Sequence, residues 1–188
     1  MFHTCFNALQ EKSPLSQESL EALTPYCRKQ TYIKEDFVLQ HLEICNDIYF
    51  VEKGLLRIFY YNNNKEITEW IAKPNSFCFS IISYFENSPS NLMIECLTDT
   101  EVVSISKEGI SSLAKNNLEI ANLLISMFAE SLKFSQKRMF DILFQTASQR
   151  YENLIATQPE ILQNVPLQHI ASYLGISAET LSRIRTKE

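Results

Sequence analysis

Glycine is nearly missing from this chain of 188 residues: only Gly54, Gly109 and Gly175 occur. That scarcity excludes a phosphate-cradling glycine loop and a flexible glycine linker, and makes each glycine the mark of a required turn. No two cysteines form a CxxC pair; Cys5, Cys27, Cys45, Cys78 and Cys96 are odd in number and widely spaced. The spacing fits neither a zinc knuckle nor a disulfide framework and predicts buried free thiols in a reducing compartment. His3, His41 and His169 lie far apart with no HxH or HExxH, and no nucleophile elbow occurs. Cupin-like metal chemistry therefore has no ligand set, and the chain reads as a non-enzyme without metal or cofactor. No basic-then-apolar leader opens it, and no apolar run approaches the ~18 residues of a membrane span, which predicts a soluble cytoplasmic protein with no membrane partner.

What is present is ordinary globular composition, 45% hydrophobic and 21% charged, in enough residues for one large or two small domains. The net charge of -5 argues against indiscriminate binding to polyanions. Its distribution is uneven. Residues 1–132 carry 10 Lys/Arg against 17 Asp/Glu, whereas residues 133–188 carry 7 against 5. Only the C-terminal third is compatible with a DNA surface.

A short leading helix is expected after Ser16, with Leu20 and Leu23 on its apolar edge and Pro25 at its end. From about residue 31 to 106 the texture is short runs rich in Ile, Val, Phe, Tyr and Thr. Gly54, Asn62-Asn63-Asn64, Pro74-Asn75 and Ser88-Pro89-Ser90 separate them at the rhythm of an antiparallel sandwich or roll. Residues 110–158 contain neither Gly nor Pro, and Ile120, Leu123, Leu124, Met127 and Phe128 recur at helical spacing. The helix they predict, about 22 residues and about 33 Å long, is apolar on more than one face, so that one side meets its own domain and another a partner. A second helix is expected over about 145–157, ending before Pro159.

The end of the chain holds two short helical patterns, "LQHIASYL" and "AETLSRIR", joined through "GIS". Ile170, Ala171 and Leu174 edge the first, Leu181 and Ile184 the second; Gly175 fits a left-handed helix end, and Ser177 an N-cap. This is the helix-turn-helix layout. Glu179, Ser182, Arg183 and Thr186 form one outward stripe, which reads equally as a solvated face with an i,i+4 salt bridge or as groups for base edges. Ser177 and Thr180, at the positive end of the helix dipole, suit phosphate oxygens.

The order of roll, long helix and helix-turn-helix, with "IASYLGISAETLSRIR", resembles the Crp/Fnr transcription regulators of bacteria. Their recognition helix carries a Ser-x-Glu-Thr-x-x-Arg pattern, matched by Ser177, Glu179, Thr180 and Arg183. "YFVEKGLLRIF" is similar to the strand-glycine-strand signature of cyclic-nucleotide-binding domains. The resemblance implies an α+β protein: a β-roll of jelly-roll type at 1–115 with its leading helix, a dimerisation helix at 116–140, and a helical DNA-binding domain at 141–188 with the helix-turn-helix at about 167–186. It also implies a homodimer joined through Ile120, Leu123, Leu124, Met127 and Phe128, double-stranded DNA with a palindromic operator as partner, and RNA polymerase as a further one. The expected DNA-binding residues are Ser177, Ala178, Glu179, Thr180, Ser182, Arg183, Thr186 and Lys187. Ala178 stands where better-known members have a basic residue, so their operator does not transfer. The chain stops at Glu188 without a segment for the β-hairpin wing of many members.

Cyclic-nucleotide sensors hold the ligand with a Gly-Glu and an Arg-Ser or Arg-Thr. By register Phe79-Ser80 and Ser90-Asn91 stand there, and no Gly, Arg or Lys lies between Lys73 and Lys107. A bound phosphate would lack its ion pair, so cyclic AMP is not the expected ligand. Either another small effector uses Phe79, Ser80, Ser83, Ser90 and Asn91, or Phe77, Phe79 and nearby aromatics fill the pocket. Cys5 is too isolated for an iron-sulfur site, and the scattered histidines read as surface or core residues rather than haem ligands. The second reading is a cyclic-nucleotide-binding-like module that binds a protein, or another small ligand, in place of DNA.

Overall fold

Two helices precede the first strand in the computed structural model, which describes residues 2–186. α1 (His3–Lys12) buries Cys5, Ala8 and Leu9; α2 (Gln17–Leu23) begins at Ser16, whose hydroxyl accepts from the Ser19 N–H, and gives way to a 3-10 turn containing Pro25. The sequence signals predict α2 and its cap but not α1.

Eight strands follow: β1 (Cys27–Tyr32), β2 (Phe37–Leu39), β3 (Asp47–Lys53), β4 (Leu56–Asn62), β5 (Lys65–Ala72), β6 (Phe77–Cys78), β7 (Met93–Cys96) and β8 (Thr100–Ser106), with α3 (Ile81–Glu86) between β6 and β7. They form two four-stranded antiparallel sheets, β1-β8-β3-β6 and β2-β7-β4-β5. Residues of both inner faces, among them Ile48, Phe50, Leu56, Ile58, Ile94, Val103 and Ile105, make the core. The turn residues act as their chemistry dictates. Asn63 and Asn64 are both left-handed between paired Asn62 and Lys65, a two-residue hairpin turn of the kind that matches strand twist. Gly54 has φ +89°, and a Cβ there would lie 2.4 Å from Thr100 Oγ1 and 2.5 Å from the Asp99 carbonyl oxygen. No other residue fits that turn without displacing β8.

α4 (Lys107–Ala114), capped by Ser106, leads to α5 (Leu118–Phe144), whose 27 residues span about 40 Å. The helix outruns the expected 22 residues because nothing breaks it before Gln145, and Thr146 then caps α6 (Ala147–Thr157) in a capping box with Gln149. Its start is pinned by Glu119, which accepts from Ser16 and Ser19, and further along Lys12 pairs with Glu130 at 2.6 Å.

One expectation needs correction on this helix. Ile120, Leu123 and Met127 are buried in this chain's own core, and Leu124 and Phe128 pack against it. Ile120, Leu123 and Met127 thus face the roll, while Leu124 and Phe128 keep part of their surface outside it. The outward apolar residues are Leu118, Ile125, Leu132, Phe134, Met139, Phe140, Ile142, Leu143 and Phe144. Periodicity alone could not tell the two faces apart, since both are apolar.

α7 (Pro159–Asn164), α8 (Leu167–Tyr173) and α9 (Ala178–Thr186) complete the chain. Tyr151, Leu154, Ile161, Val165, Ile170, Ala171, Leu174 and Leu181 form a second core with Leu55, Ile71 and Leu97 of the roll. The helices therefore stand on the roll through shared apolar contacts.

Candidate nucleic-acid interface

The turn between α8 and α9 is built by backbone rules. Gly175 has φ +68°; its N–H donates to the Ser172 carbonyl at 3.0 Å, and the Ile176 N–H to the Ala171 carbonyl at 3.0 Å. This pair of bonds is a Schellman ending. Two residues later the Ser177 hydroxyl accepts from the Thr180 N–H at 3.2 Å and starts α9. Leu181 is buried, Ile176, Ala178 and Ile184 are half-buried on the second core, and the opposite face is left outside.

On that outer face Glu179, Ser182, Arg183 and Thr186 are exposed. Glu179 and Arg183 are not in ion-pair contact with each other among the described residues. Hydrogen bonds from the Ser177 side chain and the helix start hold the Glu179 carboxyl below its ordinary range, and Arg183 adds a weaker pull. The Thr186 hydroxyl donates back to the Ser182 carbonyl at 2.9 Å. Ala178 packs on the second core rather than standing clear. Lys187 lies outside the described residues. Arg185, which the sequence patterns did not point to, is also exposed and adds a second positive charge to the last turn of α9, on a different side of the helix from Arg183.

Of the five residues expected around an effector, the three serines are engaged with one another and with the backbone. Ser80, Ser83 and Ser90 are at most 2% exposed. Ser90 donates to Ser80 at 2.8 Å and lies 2.8 Å from the Leu92 carbonyl; Ser83 donates to the Ser88 carbonyl and accepts from the Cys45 N–H at 2.9 Å. The hydroxyls satisfy one another and the backbone. Phe79 packs against Tyr84 and Phe128, with ring centroids 5.1 and 6.0 Å away, so an aromatic cluster ties this segment to α5; Asn91 is on the surface. The five cysteines are buried and unpaired, and burial pushes their thiols up, Cys27 to about 12 and Cys96 to about 11. No group of three or more His, Cys, Asp or Glu among the described residues is placed to hold a metal ion.

A polar junction that sequence reading missed sets the position of α8. β5 is the free edge of its sheet, and α8 supplies what that edge lacks: the Thr68 N–H donates to Ser172 Oγ at 2.9 Å, and Ser172 donates to the Glu66 carbonyl at 3.1 Å. Arg138 of α5 bridges the Thr68 and Tyr173 carbonyls at 3.1 and 2.6 Å. Beneath them lies Arg57, 1% exposed, held by Glu66 at 2.8 Å, Glu95 at 3.2 Å and Thr68 at 3.0 Å, with His169 of α8 at 3.5 Å. These partners are up to 112 residues apart in sequence, which is why no local pattern announced them.

The cyclic nucleotide-binding domain family matches residues 29–117. Over its length the chain is 25% identical to the HTH-type transcriptional regulator ArcR of Staphylococcus epidermidis, covering 84% of this chain and 74% of that protein. Its fold is similar to that of FixK2 from Bradyrhizobium japonicum, with TM-score 0.73, 18% identity, and coverage of 86% of this chain and 83% of that one. It is equally close, at TM-score 0.73 and 18% identity over 92% of this chain and 83% of the other, to a transcriptional regulator of Eubacterium rectale assigned to the Crp/Fnr family. None of its helices is long and apolar enough to cross a membrane among the described residues. Sequence across the roll and fold from the roll to the terminal turn agree: residues 29–117 match the cyclic nucleotide-binding domain family, and the chain is similar in sequence and in fold to transcriptional regulators, one of them assigned to the Crp/Fnr family.

Proposed function

We propose that this protein binds double-stranded DNA as a homodimer, inserting α9 into the major groove of each half of a palindromic operator. The observation that carries the proposal is the aimed helix itself: a Schellman turn and a serine cap fix its start while Glu179, Ser182 and Arg183 stand clear of the core. Arg183 matches the two acceptors on a guanine edge, and Glu179 an amino group of cytosine. Ser177 and Thr180, at the helix start, suit phosphate oxygens that set the register. Replacing Arg183 by Ala is expected to weaken specific binding on the order of tenfold or more, as loss of a bidentate base contact does, with an unchanged circular dichroism spectrum. Unchanged affinity and preference in a gel-shift titration would exclude the reading role.

The dimer contact is assigned to the outward face of α5. Leu118, Ile125, Leu132 and Met139 are exposed and recur every seven residues, the period at which two helices keep a seam together. A symmetric pair would carry its recognition helices to successive grooves about 34 Å apart, where polymerase bound beside the operator is the further partner.

The roll, on this reading, does not bind cyclic AMP. Between Lys73 and Lys107 there is no cation for its phosphate, and the serines that remain are bonded to one another. A thermal-shift titration with cyclic AMP is expected to leave the melting temperature unmoved; a saturable rise would refute this part of the account.

A further inference from the structure

A cavity of about 260 Å³ lies where the roll, the long helix and the DNA-reading helices meet. Trp70 comes from β5, Phe134, Arg138 and Ile142 from α5, Arg150 and Leu154 from α6, and Tyr173 from α8. Its volume equals roughly nine water molecules at about 30 Å³ each, room for a compact organic molecule of about ten heavy atoms. One wall is aromatic: the Trp70 ring centroid lies 5.4 Å from that of Phe134 and 6.1 Å from that of Tyr173.

The charge in this cavity is unbalanced. Lys137 is paired with Asp141 at 2.7 Å, but neither Arg138 nor Arg150 touches a carboxylate among the described residues. Both guanidinium groups are instead fixed by carbonyl oxygens: Arg138 by Thr68 and Tyr173, Arg150 by Leu174 at 2.9 Å and Gln145 at 2.6 Å. Carbonyls orient a cation without neutralising it. The remaining donors, Arg138 Nε and Arg150 Nη2, make no hydrogen bond among the described residues, yet neither is sealed from solvent. Glu69 acts on Arg138 through space without contact, and burial pushes its own carboxyl up. Two preoriented, half-buried cations beside an aromatic wall are what an anionic ligand with a flat apolar part requires.

We propose that this junction cavity binds a small organic anion, its carboxylate or phosphate held by Arg138 and Arg150 and its apolar part lying against Trp70 and Phe134. The ligand would touch the roll, α5, α6 and α8 together. Its occupancy would therefore bear on where α9 stands, from a site distinct from the Ser80–Ser90 segment. The inference rests on the cavity and not on the DNA-reading proposal, and its test uses no DNA.

Trp70 is the sole tryptophan of the chain, so its fluorescence reports on the cavity directly. The full chain is titrated with phenylacetate, phenyl phosphate and the neutral phenylacetamide. The expected result is a saturable change with at least one of the two anions and none with the amide. In Arg150→Gln binding should weaken on the order of tenfold or more, since a charge-assisted hydrogen bond is lost. That variant also loses carbonyl bonds to α5 and α8, so Asn153→Phe serves as a second: it keeps both guanidinium groups, changes an exposed residue of the cavity lining, and should abolish binding by filling the space. No saturable response to either anion, an equal response to phenylacetamide, or wild-type binding by either variant overturns the proposal. Response to phenyl phosphate alone or to phenylacetate alone identifies which anion the guanidinium pair prefers and supports it.

Discussion

Arg57 is held in the wall of the roll by ion pairs to Glu66 and Glu95, while Thr68 accepts from its Nε and the Phe59 ring lies 4.1 Å from its guanidinium carbon. The same cluster governs His169. Burial first and the Arg57 charge second hold the His169 pKa below its ordinary value, with Glu66 pulling the other way. The folded protein thus keeps this imidazole neutral. As pH falls through about 6.5 the unfolded chain takes up a proton there that the folded chain refuses, so stability is lost on the acid side. The melting temperature of wild type is expected to fall more steeply than that of His169→Gln between about pH 7.5 and about pH 5.5. Parallel curves would show that His169 contributes no such linkage. Gly54 illustrates the opposite kind of residue, one whose role is space: the turn it makes admits no Cβ beside Thr100.

At the scale of elements, α5 carries the proposed dimer seam. Replacing the exposed Leu132 by Glu puts a carboxylate into the proposed seam twice, once per chain, and removes about 1.5–3 kcal/mol of apolar burial each time. Dimer dissociation is expected to become at least about a hundredfold easier, read as a monomer in sedimentation velocity at concentrations where wild type is a dimer. An unchanged dimer would move the interface off this face. The helix also shows what a sequence does and does not reveal. Its existence is plain in residues 110–158, which lack Gly and Pro, but which of its apolar faces meets the roll depends on contacts with residues such as Lys12, Ser16 and Ser19, 100 or more positions away. Turn chemistry is local, so Gly54, Asn63-Asn64, Gly175 and Ser177 are readable in advance; strand pairing is not, and α3, set in the Ile-Ile-Ser-Tyr-Phe run after β6, leaves no clear helical signature. Among the candidate site residues the outward stripe of α9 follows from helical spacing alone. That Ser80 and Ser90 satisfy each other, and that Ala178 lies on the second core, needs the folded chain.

For the whole molecule, the edge strand β5 is a main contact between the roll and the helix-turn-helix. β5 is capped by Ser172 and Arg138, and the same strand contributes Trp70 to the junction cavity and Ile71 to the second core. β5 thus contacts α8 directly, and α8 joins α9 through a four-residue turn, 174–177, held by two backbone hydrogen bonds. The central claim is that this assembly reads DNA in two symmetric halves. Selection of bound duplexes from a random-sequence pool with the purified full chain tests it most directly. The account predicts enrichment of a palindrome whose half-sites are centred about 10 base pairs apart, with affinity falling as salt rises. A pool that stays random through successive rounds, or a bound motif without two-fold symmetry, would contradict it.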